Sequence, residues 1–209
     1  MLHGIVLAAG DATRLPNKPL LPLKNRKPAI TSGIDLLIRS GIEHIIVIVP
    51  PKSAIPYVLF ELYDQRPFCI IEQHQALGVP LAISHILPEV EFGKDDTAII
   101  TYCDNVYGDT FQLGDMPLRR RAHTVIAVSD SNKAKYLSKY SDGKWLTRDH
   151  HELYCVAGNM ILDKKAIEMC HHFTTTEQLL NYFEAQPIYI EDKGWWDIGT
   201  PSTYAAYWK

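Results

Sequence analysis

A chain of 209 residues with 46% hydrophobic content can bury one sizeable core, and nothing in its length asks for a second domain, so residues 1–209 are expected to form one unit. A formal net charge of −3 and an isoelectric point near 6.3 argue against a general nucleic-acid binder, which would carry a basic balance for its phosphate contacts. No apolar run approaches the ~20 residues that span a bilayer and no cationic leader precedes a long apolar segment, so no membrane partner is indicated and a cytoplasmic location is expected.

The chain opens on residues 4–23, GIVLAAGDATRLPNKPLLPL, which join an apolar strand to a small-residue turn and then to two cations. Ile5, Val6 and Leu7 lack polar alternation, as in a central strand covered on both faces. Ala8, Ala9 and Gly10 let backbone N–H groups come close to a phosphate or a base, and Arg14 and Lys18 follow within reach. A polar turn at residues 24–28 leads to Ile30, Ile34, Leu37 and Ile38 at helical spacing, stopped by Ser40 and Gly41. Residues 45–49 read as a second buried strand closed by Pro50 and Pro51, residues 55–63 as a second helix and residues 68–72 as a third strand. This alternation predicts parallel βαβ units whose ligands sit at the carboxyl ends of the strands.

QHQALGVPLA at residues 73–82 reads as a strand-to-helix loop at that same edge, with its helix running to about Leu87. The buried strand at residues 97–102 leads directly into Cys103, Asp104 and Asn105, placing a carboxylate where open sheets keep their ligands. Strands are predicted at residues 123–129, 144–148, 153–162 and 188–191. Asp163 is placed to cap a helix over residues 164–171, and Thr175 or Thr176 to start another through Phe183. The turn-rich KGWWDIGTP at residues 193–201 holds a second isolated aspartate, Asp197, before a last helix to Trp208.

Cys69, Cys103, Cys155 and Cys170 are scattered without a C-x-x-C pair, so neither a disulfide framework nor a structural zinc is indicated. The adjacent pairs His150-His151 and His171-His172 diverge on a strand or a helix, which argues against metal ligation. Arg119, Arg120 and Arg121, the only basic run, read as a solvated segment.

Taken together, LAAGDATRL with NKPLLPL, EQHQALGVPLA, TYCDN, VAGNMILD and WWDIGTPSTY resemble, in the same order, the motifs of sugar-1-phosphate nucleotidyltransferases. The resemblance implies an α/β, single-domain, Rossmann-like fold with a mixed, mainly parallel sheet of the nucleotide-diphospho-sugar transferase type. It also implies a reaction joining a nucleoside triphosphate to a sugar 1-phosphate with loss of pyrophosphate. On that resemblance, Leu7, Ala8, Ala9 and Gly10 hold the nucleotide, Gln73 and Gly78 contact base and ribose, and Asp104 with Asp197 coordinate Mg²⁺. Arg14 and Lys18 serve as the catalytic cations, and Gly158 and Asn159 lie on the sugar-phosphate side.

The chain departs from that pattern in three places. Ala12 stands where the family has its second loop glycine, the Arg14–Lys18 interval is short, and the family's E-K-P motif is missing, with Arg148 as the replacement for its lysine. The short interval is closer to molybdopterin nucleotidyltransferases, which share the fold but do not generally carry WWDIGTP, so the sugar-phosphate reading is kept. The alternatives are a phosphocholine-type cytidylyltransferase and a non-catalytic nucleotide-sugar-binding protein, and homo-oligomer formation stays open. Thymine or uracil is the preferred base. The chemistry asks for no general base, because a phosphate monoester with its second pKa at about 6 is mostly ionised at neutral pH. It asks instead for alignment and for cations that neutralise crowded negative charge.

Overall fold

The structure, a computed structural model, describes residues 1–10, 13–64, 66–109, 111, 113, 124–128, 138–147, 155–190 and 194–209. In β1 (Leu2–Leu7), Ile5 and Leu7 enter the apolar cluster on one face of the sheet and Val6 enters the cluster on the other. This is the alternation of a strand covered on both sides. A 3-10 turn at Lys18–Leu20 precedes α1 (Ile30–Arg39), β2 (His44–Val49), α2 (Ile55–Leu62) and β3 (Cys69–Glu72), the βαβ alternation that the hydrophobic pattern predicts.

The chain continues through α3 (Val79–Ser84), β4 (Thr97–Tyr102), β5 (Asn105–Tyr107), β6 (Thr124–Val128), β7 (Ser138–Ser141), β8 (Lys144–Thr147) and β9 (Cys155–Asp163). It closes with α4 (Lys164–Met169), α5 (Thr176–Tyr182), β10 (Gln186–Ile190), β11 (Trp195–Asp197) and α6 (Pro201–Trp208). The helix expected to run to Leu87 stops at Ser84 and gives way to turns before Pro88. The Asp163 side chain accepts from the Ala166 amide, and Thr175 forms a capping box with Gln178, so both helix starts fall where the capping residues place them. Arg119 to Arg121, His150 and His151 lie outside the described residues.

Seven strands form the main sheet in the order β10-β6-β9-β4-β1-β2-β3. β1 runs parallel to both β2 and β4, whereas β9 runs antiparallel to β4 and β6 and is the one reversed strand of this sheet among the described residues. The chain therefore leaves β1 toward β3 at one edge and returns on the other side of β1. Such a reversal of strand order opens a crevice beyond the carboxyl ends of the central strands. Two short strands that the sequence does not announce, β5 and β11, pair antiparallel just past β4, with Asn105 opposite Asp197.

At the far end of the sheet Asp96 accepts hydrogen bonds from His3 Nε2 at 3.0 Å and from the Gly93 amide at 2.8 Å. The His3 bond above all holds the Asp96 carboxyl well below the usual carboxylate range. The stability that it contributes is present above the unfolded carboxylate pKa of about 4 and is lost as pH falls toward the depressed folded value. Asp96→Asn should therefore cost about 1–2 kcal/mol at pH 7 and flatten the acid limb of the stability profile below about pH 4, measured by urea melts across pH. An unchanged acid limb in the variant would show that this cluster contributes nothing.

Candidate active site

At the carboxyl edge of β1, β2, β3 and β4 lies a cavity of about 390 Å³, lined in part by Leu7, Ala8, Ala9, Gly10, Lys18, Gln73 and Gly78. The backbone after β1 thus borders an open cleft, where its small residues allow close contact with a ligand. Gly78 takes φ +76°, a left-handed value that a residue with a side chain adopts only with strain, and it leads into α3. Gln73 is 3% exposed. Its Nε2 donates to the Gln75 carbonyl at 2.6 Å, leaving Oε1 buried without a partner. A carbonyl only accepts, so the amide orientation is set, and the unsatisfied oxygen is an acceptor beside the cavity.

Lys18 approaches the same cavity from the 3-10 turn, where Asn17, at φ 55°, swings the chain into position. Lys18 Nζ donates to Asp104 Oδ2 at 2.9 Å. Burial works against the Lys18 charge, yet the charge and hydrogen bond of Asp104 outweigh it and hold the lysine pKa above its ordinary value, with Arg14 pulling the other way. Arg14 is exposed and near enough to Lys18 for their charges to oppose each other. Burial, and then the Asp104 charge, push the Cys103 thiol up, which disfavours the thiolate at this cavity-lining position.

Asp104 and Asp197 come together although 92 positions separate them in sequence. The ribbon of β5 and β11 brings them there, continued by the Ile198 amide donating to the Asp104 carbonyl at 2.9 Å. Asp197 Oδ1 accepts from the Gly199 amide at 2.7 Å. A Cβ on Gly199 would stand 2.8 Å from Asp197 Oδ1 and 2.9 Å from Asp104 Oδ2, so the two carboxylates face one small space that only a glycine leaves open. That donor set fits Mg²⁺, which takes oxygen ligands and commonly uses one or two carboxylates plus substrate phosphates. Among the described residues no group of three or more His, Cys, Asp or Glu side chains could enclose a metal alone, so substrate oxygens would have to complete the shell.

Gly199→Ala should consequently leave the fold intact but force the carboxylates apart, so that a divalent ion held between them would be needed at about 10- to 100-fold higher concentration for turnover. A metal titration of activity beside a thermal melt checks this. Wild-type metal dependence in a folded variant would mean that the carboxylates do not act through that space.

Several expected residues fall elsewhere. Asn159 is fully buried and does not line the cavity; its amide lies near the Tyr107 hydroxyl without a well-formed hydrogen bond. Alternation with Met160, which packs in the cluster beside α3 and α4, turns Asn159 to the opposite face of the sheet. Gly158 lies in β9, while Arg148 and Ala12 lie outside the described residues. Trp195 is fully buried and Trp196 packs on Tyr207 with ring centroids 5.6 Å apart, so both act as packing anchors. Gly199, Asn17 and Tyr102 join the site without having been singled out from the sequence. The D-I-G-T-P run was the available signal for Gly199.

A small-residue loop lining a cavity, cations beside it and two carboxylates facing one space at the same sheet edge suit a nucleotidyltransferase, and the fold is of that class. The chain belongs to the MobA-like NTP transferase domain family, which it matches over residues 4–145. A structure from Bacillus anthracis assigned as a glucose-1-phosphate thymidylyltransferase, in complex with sucrose, is similar over 99% of this chain and 94% of its own, with a TM-score of 0.77 and 21% identity. The inositol-1-phosphate CTP transferase from T. maritima is similar over 98% of this chain and 93% of its own, with a TM-score of 0.75 and 15% identity. No curated protein sequence matches the chain. The fold is thus the mixed, mainly parallel α/β type that the motifs implied, and the likeness extends past residue 145 through the WWDIGTP segment.

Proposed function

We infer that this protein transfers the nucleotidyl group of a nucleoside triphosphate to a sugar 1-phosphate in a Mg²⁺-dependent reaction, forming a nucleotide-sugar and releasing pyrophosphate. The observation that carries this reading is the continuity of the site: the loop after β1 lines the cavity, Lys18 borders it, and Lys18 is bonded to one of two carboxylates that share a space. The similar structures from Bacillus anthracis and T. maritima, whose names speak of nucleotidyl transfer to a sugar or inositol phosphate, support the acceptor class.

In this reading the amides of residues 8–10 hold the triphosphate, and Arg14 grips its outer phosphates with a planar fork. An oxygen of the sugar phosphate attacks the α-phosphorus as the bond to the bridging oxygen of pyrophosphate breaks. Lys18 moves a positive charge onto the crowded phosphates, and Asp104 with Asp197 would hold Mg²⁺, which supplies charge neutralisation at the transferring group. Gly158, Asn159 and Arg148 are assigned to the acceptor side by motif position alone. The lone acceptor at Gln73 Oε1 favours a base that presents an N–H, such as the N3–H of thymine or uracil.

The decisive measurement is pyrophosphate release across the four common triphosphates and a panel of sugar 1-phosphates, inositol 1-phosphate and phosphocholine. Turnover with dTTP or UTP and a sugar 1-phosphate is expected. Preference for phosphocholine would replace the acceptor assignment, and thermal stabilisation by ligands without any pyrophosphate release would make the protein a binding module.

A further inference from the structure

One oxygen of Asp104 has two claims on it. Lys18 Nζ donates to Oδ2 at 2.9 Å, and the same Oδ2 looks across Gly199 toward Asp197 Oδ1. The Lys18 side chain is 10% exposed and that of Asp104 20%, so solvent screens this ion pair far less than an ordinary surface pair. Lysine carries its charge on a flexible four-carbon stem, and this one borders the cavity next to the loop after β1. Its ammonium can therefore exchange a carboxylate for a phosphate by side-chain rotation, with no movement of the backbone.

We propose that Lys18 is the resident counter-cation of Asp104 in the nucleotide-free protein, holding the paired carboxylates closed to free divalent ions until a triphosphate offers the ammonium a new partner. This rests on Asp104 and Asp197 being the metal's carboxylates. While Lys18 stays on Oδ2, a divalent ion meets a like charge and a carboxylate already neutralised. Once phosphates draw the ammonium away, Asp104 regains its charge for the ion. Metal and triphosphate then bind with positive coupling, and by linkage each strengthens the other by the same factor. The free protein, lacking the triphosphate, is kept from capturing metal ions unproductively.

The test is Mn²⁺ binding by electron paramagnetic resonance to the wild type, Lys18→Met, Lys18→Gln and Asp104→Asn, without nucleotide and with inorganic tripolyphosphate at matched free Mn²⁺. Both Lys18 variants should bind Mn²⁺ about tenfold more tightly than the wild type when no phosphate is present, and should lose most of the enhancement that tripolyphosphate gives. Unchanged or weaker Mn²⁺ binding in both folded variants overturns the proposal. Asp104→Asn should lose the site. If it binds Mn²⁺ like the wild type, the carboxylate assignment itself fails, an outcome distinct from one in which Asp104 matters and Lys18 does not.

Discussion

Asp104→Asn is expected to lower kcat by roughly 30- to 1000-fold, the scale of about 2–4 kcal/mol lost when a group that holds positive charge at the reacting phosphates is removed. The substitution keeps the shape of the side chain and removes the charge that both Lys18 and a divalent ion require. Asp104 lies in the turn between β4 and β5 with its side chain 20% exposed, so the variant should still fold, with a lower Tm because Lys18 loses its carboxylate partner. Steady-state kinetics at saturating Mg²⁺ and both substrates, beside a thermal melt, separates the two effects. A kcat within about threefold of the wild type would remove Asp104 from the chemistry.

Arg14→Ala should bring a loss of similar size with a different kinetic signature. Arg14 is exposed, so its removal should leave stability nearly unchanged. Its fork is assigned to the phosphates that depart, so kcat should fall in the forward direction and KM for pyrophosphate should rise in the reverse one. Arg14→Lys should recover only part of the loss, because a point charge replaces one of two parallel hydrogen bonds. Full activity in Arg14→Lys together with a large loss in Arg14→Ala would mean that charge alone, and not the fork, is needed.

How much of this could be read from residue order varies by element. β1, β2 and β4 were legible because strands buried on both faces are unbroken apolar runs, and α4 and α5 because Asp163 and Thr175 cap them by contacts within a few residues. The β7–β8 hairpin carries a local signal in its sequence: Asp142 and Gly143, both at positive φ, form the turn that the Asp-Gly dipeptide favours. The ribbon of β5 and β11 had none, since three-residue strands carry no periodicity and their partners lie far apart in the chain. Asn159 shows what a motif leaves open: its position assigns it to the acceptor side, while the alternation of β9 sets it, buried, on the face opposite Met160.

Residue order alone determined the βαβ frame, the small-residue loop after β1 and the identity of the charged groups, because each depends on local pattern or on chemistry that a side chain carries anywhere. Only the tertiary structure decided that Lys18 rests on Asp104, that Asp197 arrives beside it, and that Gly199 keeps the space between the two carboxylates. Those are contacts between segments joined by the switch in strand order at β1, and their distances follow from the register of the sheet and the ribbon rather than from any neighbour in the chain.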